Sequence, residues 1–288
     1  MTRRPARTES TWRSAALLAL AVLGGAACST AFEPQQETGV YFSLSGYLEA
    51  GADTHWVRVG PLRRTADPIP APLDADVALE RPATGERWPF RDSLFTFADG
   101  YTVRNVWTTA PVAAGETYRV VVRRRDGAET RATVRVPPQP APPEVVDGVF
   151  SCPTRVVVRG VERVVDAYAV YRDRETGAVR RFSKLGSLRP GRDGATIVEV
   201  FFGDDAAELG ADPVDVRAFD ASVVVAVGTG DWPDLVGLPF DETILPRTIG
   251  VENGVGFVGG VVTVAVPFVP GWGNSPPPGG TPEPCLGP

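Results

Sequence analysis

Apolar and polar residues alternate over short stretches along most of this chain. In residues 40–48, Val40, Phe42 and Leu44 fall on one side and Tyr41, Ser43 and Ser45 on the other, the period-two pattern of a strand with one buried face. His55-Trp56-Val57-Arg58-Val59 alternates again after the turn-forming Gly51-Ala52-Asp53. Strand-like runs recur at 77–79, 94–97, 101–107, 118–123 and 130–136, separated by Gly, Pro and Asp. Short strands at this spacing predict an Ig-like β-sandwich over residues 39–136, without the Cys…Trp…Cys pattern of an immunoglobulin. Gly115-Glu-Thr-Tyr118 leads into Val120 and Val122 and then Asp126-Gly127, a hairpin with a two-residue turn signal. Tyr118 occupies a position suited to a tyrosine corner.

The segment Pro137-Pro138-Gln139-Pro140-Ala141-Pro142-Pro143 ends this pattern. Proline fixes φ and removes a backbone donor, so residues 137–143 predict a stiff polyproline II linker rising about 3.1 Å per residue. Beyond it, Val-rich runs at 155–158, 164–171, 179–183, 195–202, 214–227 and 261–266 predict a second β-rich domain over residues 144–269. Asp204-Asp205-Ala206-Ala207-Glu208-Leu209 predicts one short helix, its first acids at the end where the helix dipole favours them. Residues 270–288 are a Gly- and Pro-rich tail with too few packing side chains to fold alone. Arg-Val-Val-Val-Arg occurs at 119–123 and at 155–159, but the flanking residues differ, which is shared strand composition and not an internal repeat. The expected fold class is mainly β: an N-terminal Ig-like β-sandwich joined by a Pro-rich linker to a second β-rich domain.

The first residues follow another rule. Arg3, Arg4, Arg7 and Arg13 precede an apolar run at 15–27 that ends in small side chains, the order of a secretory signal peptide over residues 1–27. Such a run rises about 20 Å as a helix, short of the roughly 30 Å of a bilayer core. Gly25-Ala26-Ala27-Cys28 resembles the lipobox of bacterial lipoproteins, with Gly25 where Leu is usual. That resemblance implies lipidation of Cys28, and Ser29 after it implies sorting to the outer membrane. The alternative is cleavage after Ala27 that leaves Cys28 free or paired. Residues 28–38 are polar and Pro-containing and read as a tether.

Composition adds exclusions. At 43% hydrophobic and 22% charged, the chain has enough apolar residues for a core. Removal of residues 1–27 takes four Arg and one Glu from 29 basic and 35 acidic residues, leaving 25 and 34, a net charge of −9. A nucleic-acid binder wants a basic patch, so no nucleic-acid partner is expected. All basic residues but Lys184 are Arg, spread over the chain, as codon bias in a GC-rich genome would produce. The single His excludes two-His metal sites. With Cys28 assigned to the lipid, Cys152 and Cys285 remain, and export predicts one disulfide between them. In the chain-entropy model, closing so long a loop contributes on the order of 5 kcal/mol.

Several motifs suggest chemistry. Gly254-Val-Gly256-Phe-Val-Gly259 spells G-x-G-x-x-G, but an alternating β run follows it where a dinucleotide site needs a helix N-terminus. It reads instead as a Gly-rich turn packed against a neighbour, and no cofactor is expected. His55 is the only imidazole and Asp53 lies two residues before it, yet no nucleophile elbow accompanies them. Lys184 beside Ser183 makes no dyad, since adjacent strand side chains point to opposite faces. Asp204, Asp205, Glu208 and Asp212 are the densest acids, without EF-hand spacing, and read as a solvated acidic helix, with no metal assigned. Trp56, Trp88, Phe90, Trp107 and Tyr118 form either a sugar-stacking platform or the core of the sandwich. No catalytic constellation emerges, although a hydrolase built on two carboxylates needs no His.

Three blocks carry a further resemblance: Phe42-Ser-Leu-Ser-Gly46-Tyr-Leu, Gly115-x-x-Tyr118…Asp126-Gly127…Val136-Pro137, and Val251-Glu-Asn253-Gly254-Val-Gly256-Phe-Val-Gly259. These resemble blocks in a family of uncharacterised bacterial lipoproteins with a domain of unknown function, often associated with TonB-dependent outer-membrane receptors. The resemblance implies accessory or binding work at the outer membrane, through a lipid anchor, on a periplasmic or cell-surface face, and brings no catalytic residue. The function expected is a non-enzymatic lipoprotein binding a membrane partner, such as a receptor or transporter, or a captured ligand. Two alternatives stand beside it: a surface glycan-binding module using exposed Trp, and a His-independent hydrolase.

Overall fold

A computed structural model describes residues 39–62, 73–98, 100, 102–146, 152–210, 218–233, 250–271 and 285–287. The expected signal segment and tether, with Cys28, Asp212 and most of the C-terminal tail, lie outside the described residues. In chain order the strands before the proline-rich segment are β1 (Phe42–Glu49), β2 (His55–Pro61), β3 (Ala75–Arg81), β4 (Glu86–Pro89), β5 (Arg91–Thr96), β6 (Thr102–Thr108), β7 (Thr117–Arg124) and β8 (Glu129–Arg135). After it come β9 (Glu144–Val145), β10 (Thr154–Val158), β11 (Arg163–Asp173), β12 (Val179–Ser183), β13 (Leu188–Pro190) and β14 (Thr196–Val200). Helix α1 (Phe202–Leu209) then leads to β15 (Phe219–Gly228), β16 (Val251–Glu252) and β17 (Gly254–Phe268).

The first eight strands form two facing sheets in the orders β1-β2-β6-β5 and β8-β7-β3-β4, the strand order of an Ig-like sandwich. Inward residues alternate as expected: Leu44, Leu48, Val57 and Val59 meet Leu79, Val120, Val122 and Val134 in one buried cluster. Tyr118, at the start of β7, is fully buried. Its hydroxyl accepts from the Ala113 N–H at 2.9 Å and donates to the Pro111 carbonyl at 3.3 Å. That is the tyrosine-corner arrangement, which ties the strand to the loop just before it. The β7–β8 turn is one residue longer than its Asp-Gly signal suggested. The Arg124 N–H donates to Ala128 O, and Gly127 takes φ +88°, a three-residue loop closed by a left-handed glycine.

The second half repeats the strand order without repeating the sequence. Its sheets run β9-β10-β14-β13 and β17-β15-β11-β12, matching the first half strand for strand. The two Arg-Val-Val-Val-Arg runs fall on β7 and at β10, which are not equivalent strands. What repeats is the order of pairing, which composition does not record.

The proline-rich segment lies between the two sandwiches, but it does not separate two independent domains. β1 pairs in parallel with β17 from Phe42↔Gly254 to Glu49↔Val261. This single parallel pairing fuses one sheet of each half into the eight-stranded order β12-β11-β15-β17-β1-β2-β6-β5. Both halves share one hydrophobic cluster, and Gly39–Pro288 is one compact unit. Proline removes donors locally, so it ends β8. It has no bearing on strands distant in sequence that meet later.

The stretch spelling G-x-G-x-x-G is the strand that makes this joint, not a turn. β16 pairs with β8 through Val251↔Ala132 and Glu252↔Arg131, and the chain then crosses to β1. Asn253, at φ +53°, makes the crossing. Its carbonyl accepts from Tyr41 N–H at 3.0 Å and Thr130 Oγ1 at 2.6 Å, and its Nδ2 donates to Glu129 O at 3.1 Å. At Gly256, φ is +105° and a Cβ would lie 2.1 Å from Leu44 O, so only glycine permits the strands to approach this closely. The short helix over Phe202–Leu209 forms as expected and ends at Gly210 in the left-handed region. Cys152 and Cys285 form a disulfide, Cα–Cα 5.6 Å. The tail end is held further where the Gly203 N–H donates to Cys285 O at 2.8 Å and the Gly287 N–H to Asp204 Oδ2 at 3.1 Å.

Candidate functional site

Strands β16 and β17 cover one side of the first sandwich, since they pair with β8 in one sheet and β1 in the other. Among the described residues the opposite side ends in β4 and β5, which are terminal strands in different sheets and do not pair with each other. A cleft of about 460 Å³ opens between them, lined by Val77, Phe90 and Val106 and flanked by Asp76, Arg87 and Asp92. Arg104 forms an ion pair with Asp92 at its wall.

Terminal strands carry unpaired backbone groups, and proteins protect them with brevity, charge or proline. Most terminal strands here are protected in that way. β4 reads Glu-Arg-Trp-Pro, β12 carries Arg180 and Arg181, β13 ends in Pro190, and β9 and β16 have two residues each. β5 differs. Its charges, Arg91 and Asp92, are confined to its start, and Ser93-Leu94-Phe95-Thr96 follows with neither charge nor proline. Leu94 is 50% exposed and Phe95 42%. Leu94 shares the cleft-side face with Asp92, and Phe95 points to the outer face.

On that outer face the strands bring aromatic residues together. Trp56 and Trp107 are directly paired across β2 and β6, and Arg91 on β5 is paired with Trp107. The Trp56 ring is 6.0 Å from Trp107 at 36° and 5.3 Å from Phe95 edge-on. The Arg91 guanidinium caps Trp107 at 5.0 Å, a cation–π contact. Arg58 Nε donates to Asn105 Oδ1 at 3.4 Å beside them. Trp56 stays 41% exposed. Trp88 is not part of this surface, because it is paired with Leu79 on β3 and packs on the core, as does Phe90. The five aromatics singled out in the sequence therefore divide between an outer surface and a core.

The other residues singled out by sequence sit elsewhere. His55 is buried on the inner face of β2, and its Nε2 donates to Ala110 O at 3.1 Å. Burial pushes its pKa below the usual value of 6.5, against the pull of that bond and of Glu49. β2 begins at His55, so Asp53 is not on its strand. Among the described residues no cluster of His, Cys, Asp and Glu is arranged to hold a metal ion. The acidic helix is only partly solvated: Asp204 and Glu208 are exposed, but Asp205 is buried.

Sequence reasoning missed Asp205's partners. Lys184 Nζ donates to Asp205 Oδ1 at 2.5 Å and the Tyr171 hydroxyl to Oδ2 at 2.6 Å, all three side chains buried. Burial raises the Asp205 carboxyl above its ordinary value, although both donors pull it down. The Tyr171 hydroxyl is raised by burial and by the Asp205 charge. The available signal was that Lys184 is the only lysine in a chain otherwise reliant on arginine.

No family model and no curated protein matches this chain. Among solved structures it is similar to pullulanase from Anoxybacillus sp. LM18-11 complexed with maltotriose, at 13% identity and TM-score 0.22, over 64% of this chain and 24% of that one. It is also similar to the titin domains z1z2 in complex with telethonin, at 15% identity and TM-score 0.20, over 82% and 95% of the two chains. Bovine butyrophilin follows at 13% and 0.20, over 79% and 98%. The chain spans about a quarter of the length of the pullulanase it matches.

Proposed function

We propose that this protein is a non-catalytic binding module of the bacterial cell envelope, which captures an extended apolar segment of a partner protein at β5. The observation that carries this reading is the contrast between β5 and the protected terminal strands. An added strand gains backbone hydrogen bonds along β5, and its alternate side chains meet Leu94 and the cleft on one side. On the other side they meet Phe95 and Trp56; Trp and Arg are the residue types that dominate such contacts. Export and lipidation at Cys28, at the outer membrane, rest on the sequence of residues 1–28 and complete the proposal.

The test is site-specific photo-cross-linking in intact envelopes. A cross-linker at position 95 is expected to trap one discrete partner, one at position 180 on β12 none, and Phe95→Lys to compete poorly for that partner. Equal trapping at both positions, or none at 95, overturns the reading. Cys28→Ala is expected to release the protein from membranes. Retention of that variant refutes the anchor.

Exposure of Trp56 beside Trp107 favours a second reading, a glycan stacked on the outer face. Binding to oligosaccharides that Trp56→Ala abolishes and Leu94→Lys leaves intact would select it over the strand-capture reading.

A further inference from the structure

Lys184 directly follows β12, Tyr171 lies on β11 and Asp205 in the first turn of α1. Their side chains form a closed buried cluster: Nζ meets Oδ1 at 2.5 Å, and the phenol occupies Oδ2 at 2.6 Å. Phe182, Phe202, Phe219 and Phe268 pack around the Tyr171 ring at 5.5–6.2 Å, so the phenol's ring sits in apolar surroundings. Isolating a charged pair in such a place costs more than its attraction easily returns. Where the chain needs a cation elsewhere it uses Arg, 28 times among 29 basic residues. A guanidinium would also pair with a carboxylate, and bidentately. What a lysine adds is an amine that acts as a nucleophile once neutral.

We infer that Lys184 and Asp205 condense into an intramolecular amide, a covalent cross-link between the end of β12 and helix α1. A proton first passes from the Lys184 ammonium to the Asp205 carboxylate, leaving a neutral amine and a neutral acid. This exchange removes two charges from a buried site, and the upward push of burial on the Asp205 carboxyl works in the same direction. Nζ then bonds to Cγ, and the Cγ–Oδ1 bond breaks. Oδ1 departs with its own proton and one from the amine as a single water. Tyr171 donates to Oδ2 throughout and stabilises the negative charge that develops there. No oxidant, reductant or activating group is consumed. Fixed proximity supplies the drive, since well-oriented intramolecular reactions reach effective molarities of about 10⁵–10⁸ M.

The experiment is mass spectrometry of the native protein after denaturation and reduction, with proteolytic mapping and amine labelling. The whole chain is expected to weigh one water less than its processed sequence. A branched peptide is expected to join Lys184 to Asp205, and an amine-reactive label is expected to find no lysine. Lys184→Arg keeps the charge pair and is expected to regain the full mass, Tyr171→Phe to cross-link more slowly, and Cys152→Ser to keep the cross-link. Full mass in the folded native protein, or Lys184 recovered in a linear, labelled peptide, overturns the inference even if no variant folds. The outcome is independent of β5 and its partner.

Discussion

Gly256→Ala probes the joint between the two sandwiches. The new Cβ would lie 2.1 Å from Leu44 O, and real Cβ atoms essentially never come within 3.0 Å of such a neighbour. The atom it meets is backbone in the register partner itself, Leu44↔Gly256, so no side chain can turn away to relieve it. β1 and β17 must part by about an ångström, loosening ladder bonds worth about 0.5–1.5 kcal/mol each. The alanine must also hold φ near +105°, a strain of about 1–3 kcal/mol. Together these predict a loss of about 3–5 kcal/mol, a large part of the roughly 5–15 kcal/mol that holds a typical protein. Gly127→Ala is the matched control: φ is +88° but nothing lies within 4 Å, so only strain of about 1–2 kcal/mol remains. Urea unfolding with the disulfide intact, read by tryptophan fluorescence, compares the two. If Gly256→Ala costs no more than Gly127→Ala, the close β1–β17 pairing is wrong, and with it the shared sheet.

Tyr118→Phe leaves the Ala113 N–H without its 2.9 Å partner and is expected to cost about 1–3 kcal/mol in the same assay. Reducing Cys152–Cys285, which closes a separation of 133 residues, is expected to cost about 2–5 kcal/mol. Limited proteolysis should then find the C-terminal tail first. Burial holds His55 below its usual 6.5, so between that lowered value and 6.5 the unfolded chain binds more protons. Stability from this source is complete above about pH 6.5 and is lost as pH falls through the folded value. A pH series of unfolding curves should show that slope, and His55→Gln should flatten it.

Much of this architecture is legible along the chain, because it is local. Alternation over His55–Pro61 marks an edge between a core and an outer face, and the structure buries His55, Val57 and Val59 while exposing Trp56 and Arg58. Tyr118, the hairpin near Asp126-Gly127, helix α1 and the cysteine pair are legible for the same reason: each is announced by a short signal or a small count. The fused sheet is not local. Gly254 and Gly256 suggested a turn because glycine usually signals one, whereas here the missing Cβ admits a strand from more than 200 residues earlier in the chain. The candidate site is legible only in part. Trp56 and Trp107 were singled out as aromatics, but Leu94 and Phe95 gain meaning only once β5 is known to be terminal in its sheet. Asp205 looked solvated because its neighbours Asp204 and Glu208 are; the side chain that buries it, Lys184, comes from another element.

The most direct test of the account is hydrogen exchange of the β5 amides, with and without the partner trapped at position 95. In the protein alone, the amides of Arg91–Phe95 that point away from β6 should exchange far faster than those of β1 and β17 at the joint. Partner binding should protect them, together with amides lining the cleft on β3, and leave β12 unchanged. Protection confined to β12, or binding that leaves β5 exchanging at its original rate, would contradict capture at this strand.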